Sequence, residues 1–208
     1  QHLLKKIDVD NTDDLSKKST EIRKLITDSQ MPEDLRAEII ESYDNFNVDL
    51  KSFNDSPGAL SILKSSREPI FVSVRSSATA EDLGDASFAG QQDSFVNVKG
   101  KSELLESIKK AFASLFTSRA TYYRNKKGFG QNAKLAIVVQ RMINSEKSGV
   151  IFSKDPSYEN DNTIIEAVFG LGEGIVSGRI TPDRYTVSND LKILDKKITD
   201  KKISVIRN

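Results

Sequence analysis

An α+β fold is predicted from three features of the sequence. Two stretches of helical periodicity open the chain. Short apolar or alternating runs of strand length dominate from Ile70 onward. Hairpin-like turns punctuate them, without the regular strand–helix alternation of a doubly wound sheet. The first helix is expected over residues 11–29, where Leu15, Ile22, Leu25 and Ile26 share a face, Asn11 or Thr12 can cap it and acids occupy the first turn. Pro32 suits the first turn of a second helix with Leu35, Ile39, Ile40 and Tyr43 on one stripe. A polar stretch containing Pro57-Gly58 then breaks the pattern. The pair reads as surface helices packed on a main domain.

Strands are expected at Ile70–Val74, Asp93–Val98, Val150–Phe152, Thr163–Val168 and Tyr185–Val187, with another starting in Leu191–Leu194 after a turn at Ser188-Asn189-Asp190. Leu135–Val139 is a nearly continuous apolar run, the mark of a strand central in its sheet. Between these, Leu104, Leu105, Ile108, Ala111, Phe112 and Leu115 mark one helix. A shorter helix is expected over Ser118–Lys127, stopping at Gly128.

Composition narrows the function. Among 208 residues, 31 Lys and Arg balance 30 Asp and Glu, so no basic field attracts nucleic acid or an anionic membrane. No apolar run reaches the roughly 18 residues of a spanning helix, and QHLLKKIDVDN lacks the apolar centre of a signal peptide. Cysteine is absent, which removes disulfides and thiolate chemistry and fits a cytoplasmic protein. The single histidine is His2.

The stretch IFVSVRSSATAEDLGDASFAGQQDSFVNV, Ile70 to Val98, holds most of the chemistry. A short apolar strand runs into Arg75 and then into small and hydroxyl-bearing residues. Small side chains let a backbone approach a ligand, and free N–H groups can cradle phosphate oxygens. A guanidinium fork suits phosphate. The residues alone leave Arg75 two roles, a phosphate ligand or an ion pair with Glu81 or Asp82. Gly170-Leu171-Gly172-Glu173-Gly174 fails the dinucleotide pattern because Ile175 stands at the third glycine position. Arg119, Tyr122, Tyr123 and Arg124 form a stripe too short for a nucleic-acid platform, and packing is the better reading. Asp155 and Asp183, in SKDPS and ITPDR, read as turn formers.

The Ile70–Val98 stretch resembles the signature of the phosphoenolpyruvate synthase and pyruvate phosphate dikinase family. FTSRATYYRNKKGF, LAIVVQRMI, SGVIFSKDP and IIEAVFGLGEGIVSGRITPDRY look like later blocks of that family's nucleotide-binding domain, in the same order. The resemblance implies an ATP-grasp-like architecture in which two α+β lobes hold ATP between their sheets. It makes residues 1–67 a variable helical insert and residues 68–208 the nucleotide-binding core. It also implies truncation at both ends, since relatives carry a phosphate-binding lysine segment before the insert. Beyond the position of Asn208 they carry an acidic metal ligand and then a Q-A-R-P-like motif.

By the same resemblance, ATP and Mg²⁺ are the expected cofactors, with the metal ligands unassigned. The parent would be a phosphotransferase that phosphorylates a histidine on another domain and then pyruvate, and the isolated chain would be inactive. Arg75 is the expected catalytic and phosphate-binding residue. Ser76, Gly90 and Ser94 would join it at the phosphates, Ser94 standing where many relatives have threonine. Gln140, Met142 and Ile143 would flank adenine at a hinge between lobes. Glu166 would contact ribose or a metal's outer shell. Core packing remains open for Met142, an ordinary turn for Gly90, an exposed strand position for Ser94 and a structural carboxylate for Glu166. Partners would be the remaining domains of the parent, with self-association through exposed sheet edges. A rifampin phosphotransferase, a glucan water dikinase or a non-catalytic nucleotide-binding module is the alternative.

Overall fold

A computed structural model describes residues 7–46, 68–78, 93–127, 134–157 and 160–207, together with Leu3 and the backbone of residues 82–83 and 86–87. Two compact units emerge, Gln1–Met142 and Ile143–Asn208.

The first unit opens with α1, Thr12–Asp28. The Asn11 side chain accepts from the Asp13 and Asp14 N–H groups, and those two acids sit in the positive first turn. Leu15, Ser19 and Ile22 are buried, whereas Leu25 is 59% exposed. Helical geometry explains the correction, since at 100° per residue Leu25 falls about 80° away from Leu15, over the shoulder of the stripe. Helix α2, Glu33–Asn45, follows Pro32. Its Tyr43 is buried and donates to the Ile70 carbonyl at 2.6 Å while accepting from the Gly100 N–H at 2.9 Å. One phenol thus ties α2 to the sheet and to the helix that follows it.

Strands β1 (Phe71–Ala78), β4 (Ser94–Lys99) and β5 (Leu135–Arg141) form an antiparallel sheet in the order β4–β1–β5. Between β1 and β4, the short strands β2 (Asp82–Leu83) and β3 (Ala86–Ser87) pair with each other. Helix α3, Lys101–Ser114, covers one face of the sheet, and α4, Ser118–Lys126, follows it. The core is Tyr43, Val72, Val74, Val98, Leu104, Ile108 and Ala111. Phe112, one of the apolar residues that mark this helix in the sequence, is 36% exposed. Arg124 is buried, donates to the Leu115 carbonyl and lies 5.8 Å from the Phe116 ring centre. Burial pulls its pKa below the ordinary value, so this arginine is a packing element.

Two expectations change here. The strand expected to end at Val74 runs on to Ala78, because β5 supplies partners for Ser76, Ser77 and Ala78. These residues lie in a sheet ladder and are not a free loop. The Leu135–Val139 run, expected at the centre of a sheet, pairs among the described residues with β1 alone. Its uniformly apolar sequence hides an alternation in which Leu135, Ile137 and Val139 are half-buried while Ala136 and Val138 are exposed. Pro57-Gly58 and Gly128 lie outside the described residues.

The second unit is an antiparallel sheet of β6 (Lys147–Phe152), β7 (Thr163–Phe169), β8 (Asp183–Val187) and β9 (Ile193–Lys197), in that order, with a short helix α5 (Glu173–Val176). The β8–β9 hairpin closes through Ser188 and Lys192, with Leu191 at φ 60°. Both units are α+β with antiparallel sheets. Among the described residues, no helix is long and apolar enough to cross a membrane.

Asp183, read from sequence as a turn former, opens β8 and holds the chain's last segment. Its carboxylate accepts from the Thr199 N–H at 2.9 Å and pairs with Lys201, whose side chain is only 6% exposed. The Lys201 bond and then the Thr199 N–H hold its pKa below the ordinary 3.8. A depressed folded pKa adds stability above the unfolded value, and that stability is lost as pH falls through the folded value. Asp183→Asn is therefore expected to destabilise the unit at neutral pH. The gap from wild type should narrow as pH drops below about 4. Denaturant melts at several pH values check this, and a gap that widens on acidification would contradict it.

Candidate functional site

The Val-Ser-Val-Arg-Ser-Ser sequence of β1 places its residues by simple alternation. Val72 and Val74 are fully buried against the helices, which turns Arg75 to the opposite face of the sheet. Arg75 stands directly across from Ser94 on β4 and from Val138 on β5. Directly paired residues share a face, so these three form one row. Ser73 and Gln140 are paired in the next row of that face. Arg75, Ser94, Val138 and Gln140 are all exposed, and among the described residues no helix of this unit covers them. Arg75 is the only cation in the two rows, and no ion pair ties it to another described side chain. A cationic fork beside a serine and an apolar residue is chemically suited to a phosphate near an apolar ring.

Ser76 is the next residue on β1 and so lies on the other face, turned from Arg75. Gly90 falls outside the described residues. Met142 follows β5 directly. Its N–H donates to the Phe71 carbonyl at 2.9 Å, and its sulfur accepts from the Asn97 N–H at 3.0 Å. Asn97 has φ 61° and lies at a break in the β1–β4 register, where Val72 faces Val98 but Val74 faces Phe95. Val96 and Asn97 thus oppose the single residue Ser73, a β-bulge.

In the second unit, Ile143 is 81% exposed. Glu166, half-buried on β7, shares its face with the buried Ile164 and Val168 and stands across from Arg184. Arg184 in turn reaches the buried Asp155 at 3.6 Å, and Asp155 also accepts from the Ser157 N–H at 2.9 Å. The glycine-rich turn has its own structural reasons. A Cβ on Gly170, at φ +82°, would lie 2.1 Å from the Val205 carbonyl oxygen, and one on Gly174 would lie 2.6 Å from Ile180 Cδ1. The turn accommodates the returning chain, with Leu171 N–H donating to the Val205 carbonyl at 2.7 Å. Among the described residues, no three His, Cys, Asp or Glu side chains converge as a metal site.

A family model described as the AMP/ATP-binding domain of pyruvate phosphate dikinase matches residues 1–208. The chain belongs to this family. Three archaeal relatives are similar over nearly all of it. A probable phosphoenolpyruvate synthase of Methanocaldococcus jannaschii is 44% identical over 100% of the chain and 16% of its own length. The phosphoenolpyruvate synthase of Pyrococcus furiosus is 43% identical over 99% of the chain and 24% of its own length. A probable phosphoenolpyruvate synthase of Archaeoglobus fulgidus is 46% identical over 99% of the chain and 25% of its own length. The chain therefore spans a quarter or less of each.

Within this AMP/ATP-binding domain, the sheet brings Arg75, Ser94 and Gln140 onto one face and leaves Ser76 on the other. Asn97 was missed in the sequence. A signal for it existed, since asparagine is uncommon inside a strand yet tolerates a left-handed backbone.

Proposed function

We propose that this AMP/ATP-binding domain serves a phosphotransferase of the phosphoenolpyruvate synthase kind. The observation that carries the proposal is the 42–46% identity, over nearly the whole chain, to proteins named probable phosphoenolpyruvate synthase, such as those of Pyrococcus abyssi and Archaeoglobus fulgidus. In this reading the fold is ATP-grasp-like, with residues 1–67 a helical subdomain and residues 68–208 the nucleotide core. ATP lays its phosphates against Arg75, Ser94 and Gly90, with Ser76 contributing through its backbone. Gln140, Met142 and Ile143 flank adenine, and Glu166 serves the ribose. Arg75 stabilises the charge that develops as the phosphoryl group moves. The phosphoryl group passes to a histidine in another part of the complete protein and then to pyruvate. ATP, pyruvate and water become AMP, phosphoenolpyruvate and phosphate. Magnesium bound to the nucleotide would offset phosphate charge, but the described residues offer no cluster to hold it and no protein ligand is assigned. The setting proposed is the cytoplasm.

Incubation of the complete protein with ATP and pyruvate tests this. AMP, phosphate and phosphoenolpyruvate are expected in equal amounts. The 208 residues alone, with His2 their single histidine, are expected to make none. Pyruvate-independent accumulation of ADP by the complete protein would overturn the reading.

A further inference from the structure

We propose that Asn97 is a positioning residue for the adenine side of the site, acting through Met142. The inference rests on the reading above that Met142 flanks the base. A bulge removes a residue from the ladder, and here that frees the Asn97 N–H to meet the Met142 sulfur at 3.0 Å. Methionine is unbranched and flexible, so its sulfur would otherwise sample several positions. One fixed donor selects among them, and the Met142 N–H bond to Phe71 holds the backbone from the other side.

The arrangement has a cost that packing alone leaves unexplained. Asn97 sits in the left-handed region at φ 61°, and its side-chain oxygen is buried with no hydrogen-bond partner among the described residues. A left-handed residue inside a strand that also buries an unpaired acceptor points to a site held for use. The same bulge lies across Ser73, the residue paired with Gln140, so it flanks two of the three residues assigned to the base, Gln140 and Met142.

The backbone, not the amide side chain, supplies the contact. Asn97→Gly keeps easy access to positive φ, whereas Asn97→Ala resists it. In the full-length protein, Asn97→Ala is expected to raise KM for ATP about five- to tenfold, the equivalent of one hydrogen bond, with little change in kcat. Asn97→Gly should stay near wild type. Labelling of methionine methyl groups, with the Met142 signal assigned through Met142→Leu, gives the independent readout. ATP should shift that signal, and Asn97→Ala should displace it before ATP is added. In wild type, saturating ATP should slow hydrogen exchange at the Asn97 amide, a measurement that needs no variant to fold. If ATP moves the Met142 signal but Asn97→Ala leaves KM unchanged, or the wild-type amide does not respond, the role of Asn97 is overturned and the adenine reading stands. If saturating ATP leaves the Met142 signal unmoved, both fall.

Discussion

Replacing Leu104 by alanine is expected to remove about 2–5 kcal/mol of stability from the Gln1–Met142 unit. Leu104 has no exposed surface and belongs to the core that joins α3 to Val72, Val74 and Val98. The change deletes transfer free energy and leaves a void, because Tyr43 is anchored by two hydrogen bonds and cannot slide in. Leu104 also lines a groove of about 250 Å³ together with Leu35, Phe46 and Val139. Leu25→Ala on α1, where the residue is 59% exposed, should stay within about 0.5 kcal/mol. Hydrogen exchange of the β1 amides measures both. A loss below about 1 kcal/mol for Leu104→Ala would mean that α3 does not hold this sheet.

The sequence made the helices and most strands legible because their determinants are local. Asn11 followed by two acids marks the start of α1, and the apolar spacing through Ile108 marks the buried face of α3. What failed was non-local. The end of β1 depends on whether a partner continues beside Ser76–Ala78, and that partner is β5, some sixty residues away in sequence. That β5 pairs, among the described residues, with β1 alone was hidden because its exposed residues, Ala136 and Val138, are as apolar as its inward ones.

For the candidate site, motif resemblance located Arg75, Ser94 and Gln140, and alternation along the strands sets them on one face. Resemblance could not separate Ser76 from Arg75, because adjacent residues of a motif belong to opposite faces once the motif is a strand. Nor could it find the bulge at Asn97, which exists only as a mismatch of register between β1 and β4. The Asp183–Lys201 pair was equally invisible, since its partners meet only when the segment after β9 returns.

Arg75→Ala carries the largest expected functional effect. A charge-assisted contact with phosphate is worth about 1.5–3 kcal/mol, or one to two decades of rate if it is made only in the transition state. Arg75→Lys should recover only part, because an ammonium is not a bidentate fork. Stability should hardly change. Arg75 is exposed in mid-strand, and no described side chain forms an ion pair with it. An exposed substitution of this kind stays within about 0.5 kcal/mol, or about 2 °C for a chain this size. The most direct test measures kcat/KM for ATP-dependent phosphorylation by the complete protein and the melting temperature without nucleotide, for wild type and Arg75→Ala side by side. The account predicts a tenfold or greater loss of rate (about 1.4 kcal/mol or more) at an almost unchanged melting temperature. A clear fall in melting temperature with unchanged nucleotide kinetics would contradict it and make Arg75 a structural ion-pair residue.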